Sequence, residues 1–553
     1  MPPPPDPRSP PPLSLERLRG SFSQTGRTLQ LVWRSSRVGT LALAILTVIS
    51  AALAPAIAYV GKVIIDAVVA ARAAAPGTPE AGTDPVVQWV LIELGLIVAA
   101  ALCERALGLV RQLVGARLAI DVNIMILEKA LTLSLRHFED SEFYDKLTRA
   151  RREASSRPLS LVQENFQVLR NVLTLAGYIA LLTRFSPWFV VVLLVATIPA
   201  FASETSFSKA RFRLRNWRAP ESRKLNYLEY VLANDEHAKE VKLFGLGPML
   251  MGRYRELAER LFAEDRSLLI RRTTWGFVLS LLSTAAFYGC YALIAIAAVQ
   301  GGLSLGDMTL YLVVFRQGQQ SFQSILSAIG GMYEDTLYMS NLFDFLAIPV
   351  GTAAALPTQG APADLIVDPN ERGIRFEGVG FRYPGAPHHA LRNINLFIPR
   401  GQSLALVGQN GAGKTTFIKL LTRLYHPTEG RVLLDGRDIA TWDETELRKR
   451  VGVIFQDFAQ YHLALRENVG VGSVEHVGDT DRIGAAVERG GAKEVVASLA
   501  AGLDTQLGRW FKDGVELSGG QWQKVALARA FMRQEADILV LDEPTAALDA
   551  EAE

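Results

Sequence analysis

Between about residue 38 and residue 327 the apolar positions come in long unbroken runs, and after residue 372 they shorten to β-branched runs alternating with amphipathic stretches. A helix needs about 20 mostly apolar residues to cross the hydrocarbon layer of a bilayer. Clear runs of that kind lie at about 38–60, 86–107, 187–206 and 274–299. Two weaker ones lie at 162–184 and 304–327. The first opens on Gln163, Glu164, Arg170 and Asn171, and the second carries Arg316, Gln317, Gln319, Gln320 and Gln323. The pattern predicts six spans, with the last helix continuing to about Ile348.

The stretch 349–371 is rich in Pro, Ala and Gly and reads as a linker. From 372 onward the alternation of short strands and helices is that of an α/β domain. The start, 1–13, is a polyproline tail without the basic-then-apolar plan of a signal peptide. The membrane domain is expected at 14–348 and the α/β domain at 372–553.

Composition adds little beyond this. The 553-residue chain is 49% hydrophobic and 21% charged, and its net charge of +2 gives no ground for a nucleic-acid partner. The placement of charge is more informative. The long segments between spans two and three and between four and five are rich in Lys and Arg, whereas loops near 71–85, 184–186 and 300–306 are short and nearly free of them. The positive-inside rule then puts both termini in the cytoplasm of a multi-pass protein in the cell membrane. Cys103 and Cys290 both sit in apolar runs and are expected as buried free thiols.

The α/β part carries phosphate chemistry. "SLALVG" (403–408) has the pattern of a buried strand, "QNGAGKTT" (409–416) is a glycine-rich turn, and "FIKLLTRLY" (417–425) begins a helix. Gly408 to Thr415 thus spell G-x-x-x-x-G-K-T in the strand-turn-helix context of a P-loop. Gly408, Gly411 and Gly413 let the turn Gln409, Asn410, Ala412 fold tightly enough to aim backbone amides at phosphate oxygens. The helix N-terminus adds positive partial charge there. Lys414 is expected on the β- and γ-phosphates, Thr415 on Mg²⁺, and Thr416 beside them.

In "DILVLDEP" (537–544) Ile538–Leu541 read as a central parallel strand delivering Asp542 and Glu543. Beside a P-loop such an Asp supports the Mg²⁺ shell, and Glu543 is placed to orient or deprotonate an attacking water. Two solvated acids after a strand is the alternative. In "ELSGGQWQKVALARAF" (516–531) Ser518, Gly519 and Gly520 precede an amphipathic helix and make a second anion site; since the P-loop already holds one nucleotide, the second site is most simply explained if it faces the nucleotide of another domain.

The order Gly408–Thr416, Leu517–Gln521, Asp542–Glu543 and "AALD" (546–549) resembles the nucleotide-binding domain of ATP-binding cassette transporters. Six spans before one such domain resemble an exporter-type half-transporter. The resemblance covers nearly the whole chain after the proline tail. It implies an all-α six-helix transmembrane domain followed by an α/β P-loop nucleotide-binding domain with an added antiparallel β subdomain. It also implies an ATPase using ATP and Mg²⁺, alternating access, and a second half-transporter as partner. Carried over by residue, Tyr383 stacks on adenine, Gln456 touches Mg²⁺ and the attacking water, Gln521 closes the signature, and Asp549 reaches across the dimer. The stretches 138–151 and 238–247 resemble those flanking the helices that touch the ATPase domains.

Polar side chains inside a bilayer face a protein interior or a wet cavity. Arg316, Gln317, Gln320 and Gln323 are therefore candidates to line the path of a polar or amphipathic substrate. Glu104 and Arg105 are candidates too, or else lie at the membrane interface. "LSGGQWQKVALARAF" and "FRQGQQSFQSIL" are similar to stretches in exporters of modified peptides such as lantibiotics. A lipid or drug exporter, or an ATP-binding membrane subunit regulating a partner, are the alternatives. Within the family a further helix and strand follow the acids and present a histidine to the γ-phosphate, whereas the last histidine here is His476. The resemblance therefore implies a C-terminally shortened chain, with nucleotide binding more secure than turnover.

Overall fold

A computed structural model describes residues 25–73, 83–140, 143, 147, 157–184, single positions between 187 and 214, 218–349 and 372–543. The chain divides into two units. One holds residues 1–131 and 145–348, and the other 132–144 and 349–553.

The first unit is helical: α1 (Thr25–Ser35), α2 (Arg37–Ala73), α3 (Asp84–Leu131), then, past α4 (Leu135–Phe138) of the other unit, α5 (Arg157–Leu182), α6 (Ala219–Ala233), α7 (Asp235–Leu243), α8 (Gly247–Val299) and α9 (Leu305–Leu346). Among the described residues α2, α3 and α8 are long and apolar enough to cross a membrane by length and composition. Spans three and six of the sequence reading fall on α5 and α9, helices of 26 and 42 residues. The span expected at 187–206 lies largely outside the described residues.

Helix α5 packs along α9 and α2. The approach to α2 is close: a Cβ on Gly177 would meet Pro55 at 2.6 Å, so glycine admits the proline ring. Leu175, Tyr178, Leu182, Ile294, Leu310, Val314 and Phe315 form the core between α5, α8 and α9. Cys103 and Cys290 are buried and free. Glu104 of α3 is paired with Arg170 of α5 at 2.7 Å, which ties it to a neighbouring helix; Arg105 is exposed.

The second unit contains β1 (Gly373–Phe381), β2 (Leu391–Pro399), α10 (Lys414–Leu421), β3 (Glu429–Leu434), β4 (Arg437–Asp438), α11 (Glu444–Lys449), β5 (Val451–Ile454), α12 (Leu465–Gly470), α13 (Thr480–Arg489), α14 (Lys493–Ser498), α15 (Gly519–Phe531) and β6 (Ile538–Leu541). An antiparallel sheet runs β2-β1-β3-β4, and β5 and β6 pair in parallel. Phe376, Val379, Phe381, Phe417, Leu420, Val432 and Leu434 make one core between the antiparallel sheet and α10. Leu465, Ile483, Trp522, Val525 and Met532 make a second under α12, α13 and α15.

Two expectations are corrected. Residues 402–409 form no strand, and Leu404, Leu406 and Val407 are exposed rather than buried. An alternating apolar pattern marks a segment able to fill a sheet, but burial requires a paired neighbour, and no described strand pairs with this one. For the same reason β6 is not central among the described strands. It pairs with β5 alone, and Leu539 and Leu541 stay exposed.

Candidate functional site

The glycine-rich turn delivers the chain into α10. Gly413 is the N-cap of that helix with φ +92°, and a Cβ there would meet the Ala390 carbonyl oxygen and Leu391 at 2.8 Å. Only glycine fits such a position without strain. The N-cap brings no side chain, so the first-turn amides of Lys414, Thr415 and Thr416 and the positive end of the helix face the loop. Gln409 and Ala412 close the turn through a 3.1 Å backbone bond, with Asn410 and Gly411 exposed at its tip. A turn of this geometry at a helix N-terminus is able to cradle a phosphate chain.

The acids arrive by way of the parallel pair. Ile454 of β5 lies opposite Leu541 of β6, and the Asp542 amide extends the ladder to the Ile454 carbonyl at 3.1 Å. Two residues beyond each strand end, Gln456 and Glu543 meet: Gln456 Nε2 donates to Glu543 Oε2 at 2.7 Å. Glu543 holds φ +52°, a conformation that costs a non-glycine residue about 1–3 kcal/mol and is kept only where surroundings enforce it. One enforcing contact comes from Gln523 of α15, whose Nε2 donates to the Glu543 carbonyl at 3.4 Å. Asp542 is buried and accepts from Thr415 Oγ1 at 3.0 Å. Lys414 Nζ donates to the Gly408 carbonyl at 2.9 Å and lies 3.6 Å from Glu543 Oε1.

Five residues singled out from sequence, Gly408, Lys414, Thr415, Asp542 and Glu543, thus gather with Gln456 through three hydrogen bonds, Lys414–Gly408, Thr415–Asp542 and Gln456–Glu543, and the 3.6 Å Lys414–Glu543 ion pair. Gln523 is the member that sequence reasoning missed. Its only local signal is a polar residue on the buried face of α15.

Tyr383 is half-buried. Its ring meets Phe381 at 4.9 Å and Tyr425 at 5.5 Å, both edge to face, and its hydroxyl lies 3.1 Å from Thr416 Oγ1. The ring therefore stands beside α10, joined to the phosphate cradle through Thr416.

Ser518 caps α15 in a reciprocal box: its hydroxyl accepts from the Gln521 amide at 3.3 Å, and Gln521 Oε1 accepts from the Ser518 amide at 2.9 Å. The nest read from sequence is smaller than expected, because this box takes two of its four amides. Those of Gly519 and Gly520 are left to meet an anion. Asp549 lies outside the described residues.

On α9, Arg316, Gln317, Gln320 and Gln323 are all exposed, while Leu310, Val314, Phe315 and Ile325 on the other side are buried. Positions 316, 320 and 323 follow helical spacing, with 317 beside them, so the four form one polar stripe.

Residues 391–546 match the family model described as ABC transporter. Over 541 residues the chain is 30% identical to the subtilin transport ATP-binding protein SpaT of Bacillus subtilis, a match covering 98% of this chain and 86% of that one. It is 30% identical over 387 residues to an ATP-dependent lipid A-core flippase of Alcanivorax borkumensis, covering 70% of this chain and 64% of that one. Its fold is like that of a bacterial Atm1-family ABC exporter solved with ATP bound, with a TM-score of 0.76 at 23% identity, over 93% of this chain and 87% of that one.

Proposed function

Because this chain belongs to the ABC transporter family, we propose that it is one half of a dimeric exporter that moves a polar or amphipathic substrate, a peptide in the first instance, across the cell membrane. It is an ATPase coupled to transport, and its ligand is a nucleotide. The domain limits that suit this reading are the tail 1–13, the membrane domain 14–348, the linker 349–371 and the nucleotide-binding domain from 372. Both termini face the cytoplasm, by the distribution of Lys and Arg between loops.

In this reading ATP lies along the cradle with its β- and γ-phosphates on the 408–416 amides and Lys414, and its base on Tyr383. Thr415, Asp542 and Gln456 offer the hard oxygen donors that suit magnesium, and the 3.0 Å link between the first two holds them together. When bound there, Mg²⁺ would neutralise charge on the phosphate oxygens. Glu543, oriented by Gln456, accepts a proton from the attacking water. The Gly519 and Gly520 amides of a second copy, a like or unlike half-transporter, close over the γ-phosphate. Closure and reopening move the membrane helices between inward- and outward-facing states.

The substrate class rests on the α9 stripe. An exposed face bearing Arg316 and three glutamines is costly against lipid tails, so it belongs to a wet path rather than the bilayer. Amide-rich walls suit a chain of peptide groups, which they match donor for acceptor. A relative named for the transport of subtilin supports the same class.

The test is reconstitution into liposomes with peptides, lipids and hydrophobic drugs offered in turn. Peptides should stimulate ATPase activity, and Arg316→Ala should reduce peptide transport about tenfold, the worth of one lost hydrogen bond to a charged group. Stimulation by lipids or drugs alone, with Arg316→Ala transporting normally, would remove the peptide reading and leave a lipid or drug exporter. ATP binding without transport of any substrate would favour a regulatory subunit.

A further inference from the structure

The stretch Thr132–Tyr144, which follows directly on the apolar helix α3, packs as part of the nucleotide-binding unit. Leu135 of α4 lies against the core that contains Phe381, Phe417 and Tyr425. Just past that helix, the Glu139 carboxylate accepts two hydrogen bonds, from Lys419 Nζ at 2.9 Å and from the Tyr425 hydroxyl.

Both donors touch Tyr383. Tyr425 meets its ring edge to face at 5.5 Å and 78°, and Lys419 Nζ stands 5.8 Å from its centroid and 5.7 Å from that of Tyr425. Phe381 closes the group, 4.9 Å from Tyr383 and 5.2 Å from Tyr425. The plane of Tyr383 is thus set on one edge by Tyr425, near its face by a cation, and at its hydroxyl by Thr416. Glu139 anchors the first two of these three restraints.

We propose that Glu139 is a positioning residue for the nucleotide base: by holding Lys419 and Tyr425 it fixes the ring of Tyr383, so that purine affinity is set by a segment continuous with a membrane-crossing helix. The inference rests on Tyr383 being the base platform. Stacking a base on an aromatic side chain is worth about 1–3 kcal/mol, and it depends on ring orientation. A platform free to swing gives up part of that energy with purines, whose large ring system uses it most. Triphosphate binding at Lys414 does not depend on it.

The experiment compares steady-state kinetics of the full chain in lipid nanodiscs with ATP and with CTP, for the parent, Tyr383→Ala, Glu139→Gln and Tyr425→Phe. Glu139→Gln keeps the shape of the side chain and removes its charge. It should raise KM for ATP about threefold to tenfold while KM for CTP and both kcat values stay within about twofold. Tyr425→Phe keeps the ring and loses the hydroxyl, and should give a smaller shift of the same kind. It also carries the test if Glu139→Gln does not fold.

A merely structural role for Glu139 would raise both KM values together or lower kcat, and either outcome overturns the proposal. If Tyr383→Ala raises KM for ATP and Glu139→Gln does not, Tyr383 keeps its role and Glu139 loses the one proposed. If Tyr383→Ala leaves KM for ATP unchanged, the platform reading fails and the positioning role fails with it.

Discussion

Helix α10 carries two lysines into two different surroundings. Lys414, at its start, has a carbonyl oxygen at 2.9 Å and a carboxylate only at 3.6 Å, in a loop of backbone amides. Lys419, further along, is tied to Glu139 at 2.9 Å and flanked by two tyrosine rings. Burial pushes the Lys419 ammonium down, but the bond it donates to Glu139 and the nearby Tyr383, Glu139 and Asp457 groups together outweigh it, and the group ends above its ordinary value. Burial likewise pushes the Glu139 carboxyl up, and its bonds from Lys419 and Tyr425 more than reverse that. On the proposed reading the loosely paired start of the helix exchanges its partners for a triphosphate, while the saturated Lys419 end acts as a fixed wall for the base. One helix would then separate chemistry, which must rearrange, from recognition, which must not.

The largest expected effects break the phosphate end. Glu543→Gln should lower kcat by about 10²–10⁴, the range for losing a positioned general base, with ATP binding retained. Lys414→Ala should lower turnover by about 10²–10³, as removing one preorganised charge stabiliser does, and weaken nucleotide binding as well. Equilibrium binding of a fluorescent ATP analogue beside phosphate release separates the two variants: the first binds without turning over, the second loses both.

The smallest expected effect concerns pH at the base end. Glu139 is lowered in the fold, so its contribution is complete above its ordinary value of about 4.3 and is lost as pH falls through the lower folded one. Lys419 and Tyr425 are raised, so theirs is complete below about 10 and is lost as pH rises through the folded values. The ratio of KM for CTP to KM for ATP should therefore be flat from about pH 6 to pH 9. A twofold change inside that window, measured by initial rates at fixed ionic strength, would show that the wall is held by other groups.

What could be read in advance follows from how far apart the interacting residues lie in sequence. The cradle is consecutive, Gly408 to Thr416, so spacing alone exposes it, and Asp542–Glu543 follow an apolar strand immediately. Gln456 came from family likeness. The structure supplies the reason, in that equal overhangs beyond the paired strands β5 and β6 bring it to Glu543.

The pairing of Glu139 with Tyr425 joins residues on different units of the sequence plan, and no local pattern announces it. The segment "SLALVG" misled because alternation records a capacity for burial and carries no information about the neighbour that would provide it. On α9 the polar positions were visible in the sequence, but their gathering on one exposed side needed the packing of Leu310, Val314 and Phe315 on the other.

The central claim, that the set Lys414, Thr415, Gln456, Asp542 and Glu543 hydrolyses ATP to drive export, is tested most directly by ATP-dependent transport of a stimulating peptide into inverted vesicles, the parent beside Glu543→Gln. The account predicts uptake by the parent, and ATP binding without hydrolysis or uptake by the variant. Equal hydrolysis and uptake by the two would contradict it.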